Sequence, residues 1–135
     1  MTMVDANVLL DIFTADREWL AWSLAQLEKA ALNGPLLIND VIYAEASTRY
    51  REVSVYEDAL REVGVAVAPI PHGALFLAGK AFAHYRDAGG VRTGVSADFF
   101  IGAHAAVEHI PLLTRDVRRY RTHFPTLQLI SPVVS

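Results

Sequence analysis

The chain has 135 residues, 53% of them hydrophobic, a formal net charge of −3 and no cysteine. One domain over residues 1–135 suits that length, and the lack of cysteine excludes a disulfide framework and a thiolate metal site, so any metal must be held by oxygen or imidazole. The charge argues against coating nucleic acid by bulk electrostatics but leaves room for a local basic surface; no secretory signal or membrane-length apolar run is visible, so a soluble cytoplasmic protein is expected.

Short β-like runs alternate with longer helical ones, the pattern of an α/β sandwich around a mostly parallel sheet of four or five strands. The first strand is expected over Thr2 to Val4. A helix follows over Trp19 to Leu32, with Leu20, Leu24, Leu27 and Ala31 at helical spacing and Asn33-Gly34-Pro35 as its stop. Leu36 to Ile38 reads as the second strand, then helices over Val41 to Arg51 and Val55 to Val63. Val65 to Ala68 reads as the third strand, and helices over His72 to Ala88 and Ala97 to His109 come next. Leu112 to Thr114 and Leu127 to Ile130 supply the last strands, with a brief helix after Asp116. Most of the strands are apolar throughout, as a sheet covered on both faces requires. Pro69, Pro71, Gly73 and then Gly89, Gly90 and Gly94 mark loops on either side of one helix. No repeat, low-complexity tract, P-loop or dinucleotide fingerprint occurs, so no nucleotide cofactor is indicated.

Four carboxylates stand beside apolar segments, where a charge is costly unless something binds it. Asp5 follows MTMV, Glu45 interrupts DVIYAEAS, Asp98 opens SADFFIGAHAAVEH, and Asp116 follows IPLLTR. Asp5 and Asp116 each lie just after a strand, where ligands bind in open parallel sheets, although each also suits a helix cap, and Asp98 suits a first helical turn. Glu45 has no capping explanation. It shares a helix face with Val41 and Ile42, and its structural alternative is an i,i+4 pair with Arg49. Taken jointly, the four favour a site for a hard divalent cation, magnesium or manganese rather than structural zinc. Arg115, Arg118, Arg119 and Arg121 flank Asp116 and are candidates for phosphate contact, against the plainer reading of a solvated helix face. His104 reads as a core histidine and His109 as a helix end. Trp19, Trp22, Phe99 and Phe100 read as core or subunit packing rather than base-stacking platforms.

The segments VDANVLLD, DVIYAEAS, SADFFIGAHA and LLTRDVRRYRTHFP, in this order, resemble PIN-domain ribonucleases, closest to the VapC toxins of toxin–antitoxin pairs. The resemblance spans nearly the whole chain. It implies a three-layer α/β/α fold, endonuclease activity on RNA dependent on one or two Mg2+ or Mn2+ ions, a VapB-type antitoxin, and a homodimer or toxin–antitoxin hetero-oligomer. By position, Asp5, Glu45, Asp98 and Asp116 match the family's acidic residues, with Asp5, Asp98 and Asp116 as metal ligands and Glu45 positioning or deprotonating the attacking water. Asn7 and Thr114 match residues that support the site. Ala6 departs from the family's frequent Thr or Ser, which removes a peripheral hydrogen bond. Two rival readings are a magnesium-dependent phosphatase and a non-catalytic RNA-binding or assembly module. The first would want a second Asp two positions after Asp5, where Asn7 stands; the second would show a lost ligand, yet all four acids are present.

Overall fold

The computed structural model describes residues 1–132, in which five strands alternate with seven helices. The chain runs β1 (Thr2–Val4), α1 (Ala6–Phe13), α2 (Leu20–Ala31), β2 (Leu36–Ile38), α3 (Asp40–Ser47) and α4 (Val53–Val63). It continues through β3 (Val65–Val67), α5 (His72–Asp87), α6 (Ala97–Val107), β4 (Leu112–Leu113), α7 (Val117–Arg121) and β5 (Leu129–Ile130). All neighbouring strands are parallel, in the order β3-β2-β1-β4-β5. The order steps outward from β1 through β2 to β3 and then returns past β1 to β4, so crossovers of the usual right hand send the helices before β3 and those after it to opposite faces, the expected α/β/α arrangement. Among the described residues no helix is long and apolar enough to cross a membrane.

The central strand is buried throughout: Met3 and Val4 are fully enclosed, and Leu112 and Leu113 beside them likewise. The edge strand β3 is the exception to strands covered on both faces, because Ala66 and Val67 are exposed. Helix α1 was not anticipated as a full element. Its sequence ANVLLDIF is too short and too uniformly apolar for a helical period to stand out. In α2 the buried residues are Ser23, Leu27 and Ala30, whereas Leu24 is exposed. The face is turned from the expected leucine stripe because Ser23 Oγ donates to the buried Asp11 Oδ2 at 2.6 Å, a polar anchor that periodicity does not register.

Helix α3 starts on an Asn39 cap, whose Oδ1 accepts from Ile42 N at 2.9 Å, and stops at Ser47 rather than Arg51. Ser47 Oγ donates to Ala44 O and Thr48 Oγ1 to Glu45 O, so hydroxyls satisfy the last carbonyls in place of a further helical turn. Helix α4 ends on Gly64 at φ +91, the left-handed conformation that glycine adopts without a Cβ penalty.

At Gly102 in α6 the ring of Phe124 occupies the space a side chain would take. Replacing Gly102 by Ala favours the helix by about 1 kcal/mol but forces a methyl into a buried ring that has little room to withdraw, at about 1–3 kcal/mol. Gly102→Ala is therefore expected to lower stability by up to about 2 kcal/mol, read as a reduced urea midpoint at unchanged m-value.

Candidate active site

From β1 the chain passes to β2 on one side, while β4 pairs on the other, so the crest between the C-terminal ends of β1 and β4 is a topological switch point. Asp5 is the first residue after β1 and Thr114 the first after β4. Asp5 N donates to Leu113 O at 2.9 Å, extending the ladder by one step and setting the two residues side by side. The Asp5 side chain is fully buried. Its Oδ2 accepts from Thr114 Oγ1 at 2.8 Å, Tyr120 OH at 2.7 Å and Asn7 Nδ2 at 3.4 Å, and its Oδ1 from Ala6 N at 2.8 Å. Thr114 Oγ1 also accepts from Asn7 Nδ2 and from Asp116 N. Asn7 and Thr114 thus both hydrogen-bond to the Asp5 carboxylate and to each other.

Tyr120 is a participant that sequence reasoning missed. Burial, then the charge of Asp5, raises its pKa well above that of a free phenol, which keeps it a proton donor to that carboxylate. Its one signal in the sequence, an aromatic residue four positions after Asp116, is masked by the arginines around it.

A cleft of about 740 Å³ opens beside this crest. Glu45, Asp98 and Asp116 line it together with Arg92, Arg118, Arg119 and His123. Asp5 is reached from the cleft through Arg119, whose Nη2 lies 2.9 Å from Glu45 Oε2 and whose Nη1 lies 3.8 Å from Asp5 Oδ1. Burial works against the Arg119 charge, but Tyr120, Asp5 and Glu45 outweigh it and raise its pKa. The Glu45–Arg49 pair does not form; α3 has ended and Glu45 turns to Arg119 instead. Asp98 is buried in the first turn of α6, accepting from Ser96 Oγ and from Arg92 Nη1 at 3.2 and 3.3 Å. Asp116 caps α7 through Oδ1, accepting from Arg119 N at 3.1 Å, so capping and a place in the cleft coincide in one side chain.

The arginine run divides. Arg115 forms a two-pronged pair with Asp11 at 2.7 and 2.9 Å and lies 4.9 Å over the Trp19 ring, and Arg121 donates to the carbonyls of Pro125 and Leu127. These two serve the fold, leaving Arg118 and Arg119 on the cleft. Arg92, absent from the expected set, joins them from the loop after Gly89-Gly90; its proximity in sequence to Ser96 and Asp98 was the available signal. His123 was also missed, and packs its ring 4.7 Å from that of the buried Phe99.

The donor set fits a hard divalent cation. It consists of carboxylates, Glu45 Oε1 is buried with no hydrogen-bond partner among the described residues, and the Arg119 guanidinium already bridges two of the acids as a cation would. As positioned, no three Asp, Glu or His side chains among the described residues form an assembled ligand group. Side-chain rotation at Glu45 and Asp116, which are not fully enclosed, is the available route to closer approach.

The PIN domain family model matches residues 2–125. The chain belongs to the PIN-domain family. Among solved structures, this PIN domain is similar to a chain of VapBC2 from Rickettsia felis bound to a promoter DNA fragment, with a TM-score of 0.75, 17% identity and 98% of each chain covered. It is also similar to a chain of VapBC-1 from nontypeable Haemophilus influenzae, with a TM-score of 0.68, 19% identity and 96% of each chain covered. A chain of FitAcB from Neisseria gonorrhoeae aligns with a TM-score of 0.69 at 16% identity, again over 96% of each chain. At these identities the likeness is one of fold. No curated protein is matched by sequence.

The helix that carries Glu45 in this PIN domain depends on a buried histidine. Asn39 Oδ1 caps α3, which turns its Nδ2 to donate to His104 Nδ1 at 3.1 Å, so the imidazole accepts there in its neutral form. Burial lowers the His104 pKa against the weaker opposing pull of Glu108 and Asp40. The unfolded chain therefore binds the extra proton more readily, and this contribution to stability is present above the unfolded pKa of about 6.5 and lost as pH falls through it. A thermal-melt series from pH 8 to 5 should show the midpoint falling below about pH 6.5, and His104→Asn should flatten that slope, worth at most about 1.4 kcal/mol per pH unit.

Proposed function

We propose that this chain, as one nuclease domain over residues 1–135, is a divalent-metal-dependent endoribonuclease and the toxin of a VapBC-type toxin–antitoxin pair. The observation that carries the reading is the gathering of Asp5, Glu45, Asp98 and Asp116, from four separate parts of the chain, around one cleft at the sheet's switch point. Asp5, Asp98 and Asp116 would hold the ion, Mg2+ or Mn2+, singly or as a pair. Bound there, it supplies Lewis acidity that activates a water and offsets charge on the phosphorus.

The protein's own contribution is aim and charge. Thr114, Tyr120 and Asn7 fix Asp5 Oδ2, which leaves Oδ1 as the carboxylate oxygen toward Arg119 and Glu45. Glu45 Oε1, without a competing donor, takes the proton from the attacking water. Arg92, Arg118 and Arg119 offer guanidiniums to the RNA backbone, a planar donor geometry that matches phosphate. No side-chain nucleophile is required.

The toxin role is supported by the similar folds found in VapBC structures. A second groove, of about 490 Å³, is lined by Ile12, Phe13, Leu24, Leu27, Tyr50 and Val63 and bordered by Glu28 and Glu62. It suits an apolar antitoxin helix flanked by basic residues, and gives the outward-turned Leu24 a purpose.

Antitoxin-free protein incubated with total RNA and Mg2+ or Mn2+ should yield discrete fragments that chelator abolishes and that Asp5→Asn reduces by about 100-fold or more. Wild type and Asp5→Asn that are equally inert, while both fold and bind RNA, would replace this reading with a non-catalytic module. The protein alone should sediment as a homodimer, and a clean monomer at micromolar concentration would remove that part of the proposal.

A further inference from the structure

The acids of the cleft are already engaged by cations of the same chain. Arg119 reaches Glu45 at 2.9 Å and Asp5 at 3.8 Å, and Arg92 reaches both oxygens of Asp98. Whether such pairs are permanent can be judged against Arg115 and Asp11 a short distance away. That pair uses Nε and Nη2 on both carboxylate oxygens and adds a tryptophan face, the geometry of a structural ion pair. Arg119 instead makes a single-pronged contact with Glu45, whose Oε1 is left buried and, among the described residues, unpartnered. A partly buried charge pair that leaves one enclosed acceptor empty forgoes part of what offsets its desolvation.

The charge balance points the same way. Four carboxylates face Arg92, Arg118 and Arg119, so the site with its own arginines in place carries a small negative excess. A divalent cation reverses the sign, and a phosphodiester then restores near neutrality. Arg119 is the group best placed to respond, because its α7 backbone is held by the Asp116 cap while its side chain spans the two acids.

We propose that Arg119 is an exchangeable internal counter-ion: it occupies the Asp5 and Glu45 carboxylates in the metal-free protein, is displaced when the divalent cation enters, and is then presented to the RNA backbone. This inference rests on the metal-dependent reading above and extends it by assigning one residue to two successive partners. It makes metal loading weaker than the bare acid set would allow, and it couples loading to phosphate binding, since the same event that fills the acids frees the guanidinium.

The test is calorimetric titration of the full chain with Mn2+ in wild type, Arg119→Met, Arg119→Lys and Arg118→Met. Removing a cation that competes for the same carboxylates should tighten Mn2+ binding by about tenfold or more in Arg119→Met, with Arg119→Lys closer to wild type. Arg118, which has no acid within salt-bridge distance among the described residues, is the control: Arg118→Met removes the same charge and should change affinity by less than about threefold. In the unmutated protein labelled with 15N-arginine, the Arg119 Nε resonance should move with Mg2+ at the midpoint of a parallel Mg2+ calorimetric titration of the wild type; this readout decides the matter if Arg119→Met does not fold. Wild-type affinity in Arg119→Met, an equal gain in Arg118→Met, or an Arg119 resonance unmoved at saturating Mg2+ would overturn the proposal while leaving the metal site intact. Absence of metal binding in wild type and every variant would instead remove the metal-dependent reading, and this inference with it.

Discussion

The carboxylate of Asp5, fully buried at the end of the central strand, is the constraint around which the molecule is arranged. An isolated charge in that position would cost several kcal/mol at least, and it is tolerated because donors converge on it from three parts of the chain. The β1–β4 register brings Thr114 alongside, α7 returns Tyr120 from above, and Ala6 and Asn7 contribute from the start of α1. Hydrogen bonds to a charged group are worth about 1.5–3 kcal/mol each, so sheet register, the placement of α7 and the burial of the Asp5 side chain support one another. A change that slid β4 by one residue would turn Thr114 to the opposite face and leave the carboxylate short of a donor.

That dependence explains how much could be read in advance. The first two strands are legible to the residue and the others nearly so, because apolar runs between glycine and proline punctuation are a local signal. The four acids are legible for a related reason: a carboxylate beside an apolar run stands out wherever it occurs. Contacts made across long sequence distances are not local signals. Tyr120 meets Asp5 from 115 positions away, and nothing in RDVRRY separates that tyrosine from a surface aromatic. The turned face of α2 has the same origin, since Ser23 faces inward to satisfy Asp11, an acid whose other partner is Arg115 near the opposite end of the chain.

The arginine run is the sharpest case, because residue type and spacing carry almost no information about role there. Between Arg115, ahead of the Asp116 cap, and Arg121, at the end of the short α7, the arginines point in different directions, and what each does is decided by what the rest of the fold presents. Arg115 finds Asp11 and Trp19, Arg121 finds carbonyls that lead into β5, and Arg119 finds the acids. A run that reads as one basic patch is three different kinds of contact.

The same division bears on the net charge of −3, which by itself speaks against nucleic acid. Long-range potential follows the sum of charges, but a phosphate in the cleft meets only the groups within about a Debye length, roughly 8 Å at physiological salt. Within that range Arg92, Arg118 and Arg119 face Asp5, Glu45, Asp98 and Asp116, so the local sign is a small negative excess that is decided by what the carboxylates hold. An acidic protein can thus present a cleft whose attraction for a polyanion is conditional, repelling it while the acids are underneutralised and admitting it once they are filled. Conditional attraction of this kind is unavailable to a surface built from lysines alone, whose charge has no partner to release it.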